Sequence, residues 1–210
     1  MNEYQSNHPN HVHQLVVAVS KHYYASKQGE LKYQQKPMEV PLTQAHAATR
    51  CNMIVFALRD HCSGVFYSEI AFCPSVPHAR AFLGRAWAQK SDYAFRGLPQ
   101  LLTIPRTVQE AFPSLAGDVQ ELGVGLVDVT SGFQSGIRDV RTIESSMPIV
   151  INHSVTQAHK WLRHICTSRA EDASRVRGLS KIELWQSRVP TIRLPPVGWG
   201  DGLPMESRPD

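Results

Sequence analysis

The sequence predicts a mixed α/β domain, a sheet of several strands with helices on both sides. Three observations carry that expectation. Between Asn52 and Phe72 two apolar runs flank a short polar turn, the pattern of a β-hairpin. Directly after it Phe82, Leu83, Ala86 and Trp87 share one face at a period of 3.6, which is helical spacing. Further on, short β-branched runs alternate with amphipathic stretches, and such alternation builds a sheet covered by helices.

Taken in order, the elements have local reasons. Leu15–Val19 is the first strand candidate. His8, His11 and His13 precede it, and without a fourth partner nearby they read as a surface histidine cluster rather than a metal site. Residues 20–50 are a polar insertion, with short strands at Tyr23-Tyr24 and Leu31–Tyr33 and a helical turn or two in Leu42–Thr49. Met53–Leu58 is apolar throughout and predicts a strand buried on both faces. Asp60 and Ser63 can bond their own backbone and Gly64 allows positive φ, so Arg59–Gly64 makes the turn into Val65–Phe72. Ser75 is the expected N-cap of the helix that follows.

Gln100–Ile104 is a short buried strand stopped by Pro105. Val108, Phe112, Leu115, Val119 and Leu122 form an amphipathic helix interrupted by Pro113, resuming near Ser114 and ending at Gly123. Val124–Thr130 is another strand, and Ser131–Gly136 a flexible loop. Helices are expected from Gly136 or Ile137 to a break near Pro148, from the N-cap Ser154 to Cys166, and over Lys181–Arg188. The last twenty residues, rich in Pro and Gly, read as a flexible tail. Residues 1–150 are therefore expected as one domain, 151–189 as a basic helical extension and 190–210 as the tail.

The 210 residues suffice for one sizeable core, and 42% hydrophobic against 19% charged content is globular rather than disordered. No apolar run reaches the ~20 residues that span a bilayer, and the polar opening does not resemble a signal peptide. The expectation is a soluble, cytoplasmic protein with no membrane partner. Cys51, Cys62, Cys73 and Cys166 show no Cys-x-x-Cys spacing and are expected as buried free thiols. The net charge of +4 is uneven: Lys160 to Arg193 holds eight basic residues against three acids. Lys160, Arg163, Arg169, Arg175, Arg177 and Lys181 are the candidate phosphate contacts; a plain solvated surface is the alternative.

The element order fits the ribonuclease-H-like architecture, and short motifs in the right sequence add a family. Pro9-Asn10-His11-Val12-His13-Gln14 resembles the lead-in to the first strand of integrase and transposase catalytic cores, the bacterial and phage-Mu-like transposases among them. Gln35-Lys36-Pro37 resembles their Asn-Lys-Pro element, and Asp60-His61-Cys62-Ser63-Gly64 their Asp-His-x-Ser-Gly hairpin. Gly97-Leu98-Pro99, Leu122-Gly123-Val124 and Ser135-Gly136 fall where that family opens its later elements. The resemblance spans roughly residues 8 to 165. It implies DNA transposition, integration or recombination by a mobile genetic element, with DNA as partner.

In that family three carboxylates hold two magnesium ions that drive attack on a DNA phosphodiester. Carried over residue by residue, the first acid falls on Val16, the second on Pro105 and the third on Asp139, with Glu144 as a less favoured stand-in. Asp60 belongs to the hairpin turn and reads as structural. Val and Pro supply no carboxylate, so the expectation is a degenerate, DDE-type pseudoenzyme that binds no metal, with DNA or a transposition-complex protein as partner. One alternative is an active Mg2+- or Mn2+-dependent transposase or nuclease whose site is rearranged from Asp60, Glu69, Asp139 and Glu144. Another is a protein-interaction module, self-associating through Trp161, Leu162 and Ile165, with no nucleic-acid role.

Overall fold

The computed structural model describes residues 6–47, 51–72, 76–127, 135–147 and 154–202. Six strands form one open mixed sheet: β1 (Val12–Ala25), β2 (Leu31–Tyr33), β3 (Cys51–Asp60), β4 (Phe66–Phe72), β5 (Leu101–Thr103) and β6 (Gly125–Val127). Among the described residues the α-helices are α1 (Ala79–Trp87), α2 (Arg106–Ala111), α3 (Leu115–Glu121), α4 (Ser135–Ser146), α5 (Val155–Ala170) and α6 (Lys181–Arg188), with a 3-10 turn over Leu42–Ala47. The strand order is β4-β3-β1-β5-β6, with β2 pairing β1. β3 runs antiparallel to β1 and β4, whereas β5 and β6 run parallel to β1 and to each other. This α/β arrangement is compatible with the ribonuclease-H-like architecture.

The expected hairpin is present, and β3 forms the floor of the core. Met53 through Leu58 are at most 2% exposed, since helices cover both faces of the strand. Ile54, Phe56 and Leu58 point to α1, where the Phe56 and Phe82 rings lie 5.3 Å apart. The alternate residues, Met53, Val55, Ala57 and Arg59, point to the face that carries α4.

β1 is longer than its apolar stretch predicted. The strand continues past Val19 because the register shifts between Val19 and Tyr24, where the Ser20 hydroxyl accepts from the backbone of His22 and Tyr23. A bulge lets one strand change its pairing without ending. Tyr23, within this irregular stretch, donates its hydroxyl to the carbonyls of Glu144 and Met147 and so ties the end of α4 to the sheet.

Several helix boundaries follow their caps. Pro113 and Ser114 divide α2 from α3 as the sequence indicated, and Ser154 caps α5 in a full capping box with Gln157. The N-cap of α1 is His78, whose ring nitrogen accepts from Arg80 N at 3.1 Å. Ser75, expected in that role, lies outside the described residues, as do Cys73, the strand expected beyond Val127 and most of the Ser131–Gly136 loop.

The expected tail differs most. Residues 190–202 lie against the body of the protein rather than extending from it. The Leu98 backbone donates to the Arg193 carbonyl at 2.8 Å. Trp199 sets its ring 5.7 Å from that of Trp87, under the Arg80 guanidinium. Proline and glycine there shape a strap; the apolar anchors Ile192 and Trp199 attach it. No helix among the described residues is long and apolar enough to cross a membrane.

Candidate functional site

Of the three positions assigned by the resemblance, Val16 and Asp139 lie on the α4 side of the sheet. Gln14 pairs with Arg59 and Val16 with Ala57 across β1 and β3, so their side chains share the α4 face. On the other side of β1, Gln14 pairs with Thr103, two residues before Pro105. Asp139 is carried to this face by α4 and is 5% exposed.

The chemistry at these positions does not suit a divalent cation. Val16 offers no ligand. Pro105 lies between β5 and α2 as the N-cap of the helix, and its carbonyl already accepts from Val108 and Gln109 at 2.9 and 3.0 Å. Only Asp139 remains, and its Oδ1 is ion-paired with the guanidinium of Arg59. Burial raises the Asp139 carboxyl above its ordinary range, while Arg59, then Lys181 and Arg138, pull it back towards ionisation. Hard cations need several anionic oxygens around them, so the residues present do not fit the two-metal centre that the family resemblance implies.

Of the other carboxylates considered as a rearranged site, Asp60 and Glu69 each have partners of their own. Asp60 is fully buried on the opposite face of β3. It accepts from Asn10 N at 2.8 Å, Ser63 N at 2.7 Å and Ser63 Oγ at 2.6 Å. It thereby holds Asn10, whose φ of 59° is left-handed, and closes the hairpin turn; this is the physical link between the Pro9-Asn10 lead-in and the Asp60–Gly64 motif. Glu69 on β4 takes a two-pronged bond from Arg85 and a hydroxyl from Tyr67. Glu144 is half-buried, and its backbone carbonyl rather than its carboxylate meets Tyr23. Among the described residues no three His, Cys, Asp or Glu side chains gather as a metal site.

His13, grouped with the surface histidines on sequence, is instead wholly buried against α1. The Trp87 indole donates to its Nδ1 at 3.1 Å, so the proton is on Nε2, which donates to Asn10 Oδ1 at 2.9 Å. His8 and His11 stay together, with ring centroids 5.3 Å apart.

The basic segment is part internal brace, part surface. Arg175 reaches back to the Ser6 carbonyl and Cys62 Sγ, both at 3.0 Å. Lys181 bonds the Arg169 carbonyl and Asp172, and Arg169 pairs with Asp172 at 3.7 Å. Arg163 lies over the Tyr67 ring and 3.3 Å from Asp92. Lys160, Arg169, Arg175 and Arg177 are exposed. On α5, Leu162 and Ile165 face the core, while Trp161 is 41% exposed and donates to the Ser146 carbonyl at the end of α4.

The residue that sequence reasoning missed is Arg59. Its signal was a cation at the end of an otherwise apolar strand, at the same-face position as Ala57; a charge so placed needs a counter-charge from the covering helix. Fold and site together define an α/β sheet protein in which an Arg59–Asp139 ion pair joins α4 to β3. No protein-family model matches the chain, and no curated protein matches it. Among solved structures it is similar to a chain in the cryo-EM structure of the simian T-cell lymphotropic virus intasome in complex with PP2A regulatory subunit B56 gamma. That likeness has 13% sequence identity and a TM-score of 0.48, covering 93% of this chain and 62% of the other.

Proposed function

We propose that this chain is an integrase- or transposase-core-like protein of a mobile genetic element, working in DNA transposition or integration without cutting or joining DNA itself. It acts in the cytoplasm by binding DNA or a protein of the transposition complex. The observation that carries this reading is what occupies the three assigned positions. Of the positions that the resemblance assigns to the family's acids, Val16 and Pro105 carry non-ligating side chains, and Asp139 is ion-paired with Arg59. The ordered motifs from Pro9 to Gly136 and the strand order support the same descent.

Exposed Lys160, Arg169, Arg175 and Arg177 supply the phosphate contacts, read by charge rather than by base sequence. The test joins two measurements on the full chain. Binding to duplex DNA is expected to weaken steeply with salt, log affinity falling by ~0.9 for each phosphate neutralised per tenfold rise in salt. Lys160→Ala together with Arg177→Ala is expected to lower that slope by about two. No nicking or end joining is expected with magnesium or manganese. Metal-dependent strand transfer that disappears in Asp139→Ala would overturn the reading, as would salt-independent binding.

A further inference from the structure

The face that no longer suits a metal still holds a positive charge. Arg59 leaves β3 opposite Gln14, on the face where Val16 lies two residues along β1, and it reaches Asp139 on α4. Its side chain is 22% exposed and that of Asp139 is 7% exposed, so the pair is largely removed from water. The second oxygen, Asp139 Oδ2, is buried and makes no hydrogen bond. The ion pair through Oδ1 is therefore the carboxylate's anchorage, and α4 is held to the sheet through it.

We infer that Arg59 is an internal counter-ion, standing where a core of this shape would hold a divalent cation, and that it both fastens α4 and bars such a cation from the site. The inference rests on the reading above that Val16, Pro105 and Asp139 are the remains of a metal centre. Charge balance supports it. One carboxylate calls for one positive charge, which a guanidinium supplies with no need for other acids; a pair of divalent ions would leave the face heavily over-charged. Space supports it too. A side chain at Gly64 would place its Cβ 3.0 Å from a terminal Arg59 nitrogen, so the turn glycine leaves the guanidinium its room.

The experiment uses four full-length proteins: wild type, Arg59→Gln, Val16→Asp and the double variant Val16→Asp/Arg59→Gln. Thermal unfolding is followed with and without millimolar Mn2+, and Mn2+ binding is read by water-proton relaxation. The wild-type Tm is expected to ignore Mn2+. Arg59→Gln is expected to fall by roughly 5–10 °C, as breaking a largely buried pair strands its other half. Val16→Asp alone is expected to bind no Mn2+, because the Arg59 guanidinium already holds Asp139 Oδ1; the double variant is expected to bind it and regain part of its Tm. An unchanged Tm in Arg59→Gln, or Mn2+ binding to Val16→Asp as tight as to the double variant, would overturn the inference. If Arg59→Gln does not fold, Arg59→Gln/Asp139→Asn takes its place: recovery of folding supports the counter-ion, and failure to recover counts against it. DNA binding is measured separately, so its loss would defeat the functional reading without altering these melting and Mn2+ results.

Discussion

Acidifying the protein from about pH 7 to pH 4 is expected to remove roughly 3 kcal/mol of stability through one imidazole, His13. The unfolded side chain takes up a proton near 6.5, whereas burial holds the folded one down to about 3. Between those values the unfolded chain binds a proton that the native state refuses, so stability falls as pH falls and is fully present above 6.5. At about 1.4 kcal/mol per unit the ceiling is about 5 kcal/mol. The Asp60 carboxylate, 3.9 Å from His13 Nε2, favours the imidazolium and lowers the figure. The geometry explains the refusal. Protonating Nδ1 sets a ring N–H against the indole N–H of Trp87, destroying the bond between them.

His11, His61 and His159 are also shifted downward by burial and add to the acid loss with the same sign. Burial raises the Asp60 and Asp139 carboxyls, so these oppose it. A comparison with His13→Gln removes all of these, because glutamine keeps an acceptor and a donor but does not titrate. Urea midpoints across the window should drop steeply for the wild type and less so for the variant, which starts lower. Parallel curves would show that His13 carries none of the acid sensitivity.

What the sequence disclosed, and what it hid, follows from the range of each signal. The β3–β4 hairpin, the break between α2 and α3 and the Ser154 cap were legible because apolar period, proline and capping chemistry act within a few residues. The continuation of β1 was not, since a serine-centred bulge leaves the local pattern looking like a polar insertion. His13 and Arg59 show the same limit at the site. Each sits in a stretch that reads as surface or turn, and each is decided by a partner far along the chain, Trp87 for one and Asp139 for the other. The assignment of Val16 and Pro105 to the acid positions, by contrast, rests on the motif resemblance and on no contact in the fold.

Composition misled most at the C-terminus, and the reason yields the second large effect. Gly84→Ala is expected to dislodge the strap of residues 190–202 from the full-length protein. A Cβ on Gly84 would lie 2.4 Å from the carbonyl oxygen of Trp199, and a backbone atom has no rotamer by which to escape. The strap makes the matching concession: Gly200, at φ 92°, would place a Cβ 2.7 Å from the Arg80 carbonyl. Glycine inside a helix costs about 1 kcal/mol relative to alanine, so α1 carries its glycine at a loss, recovered through the Trp199 ring packed on Trp87 and under Arg80. Displacing the strap should expose Trp199 to solvent quenching, open residues 190–202 to protease and cost roughly 2–4 kcal/mol, a little under the ~3–5 kcal/mol of deleting a fully buried large aromatic because Trp199 is only partly buried. In a chain ending after Val189 the same substitution meets no backbone, and its sign should reverse to a gain of up to ~1 kcal/mol. Destabilisation of equal size in both chains would mean that Gly84 serves the helix itself, and that the strap merely lies beside it.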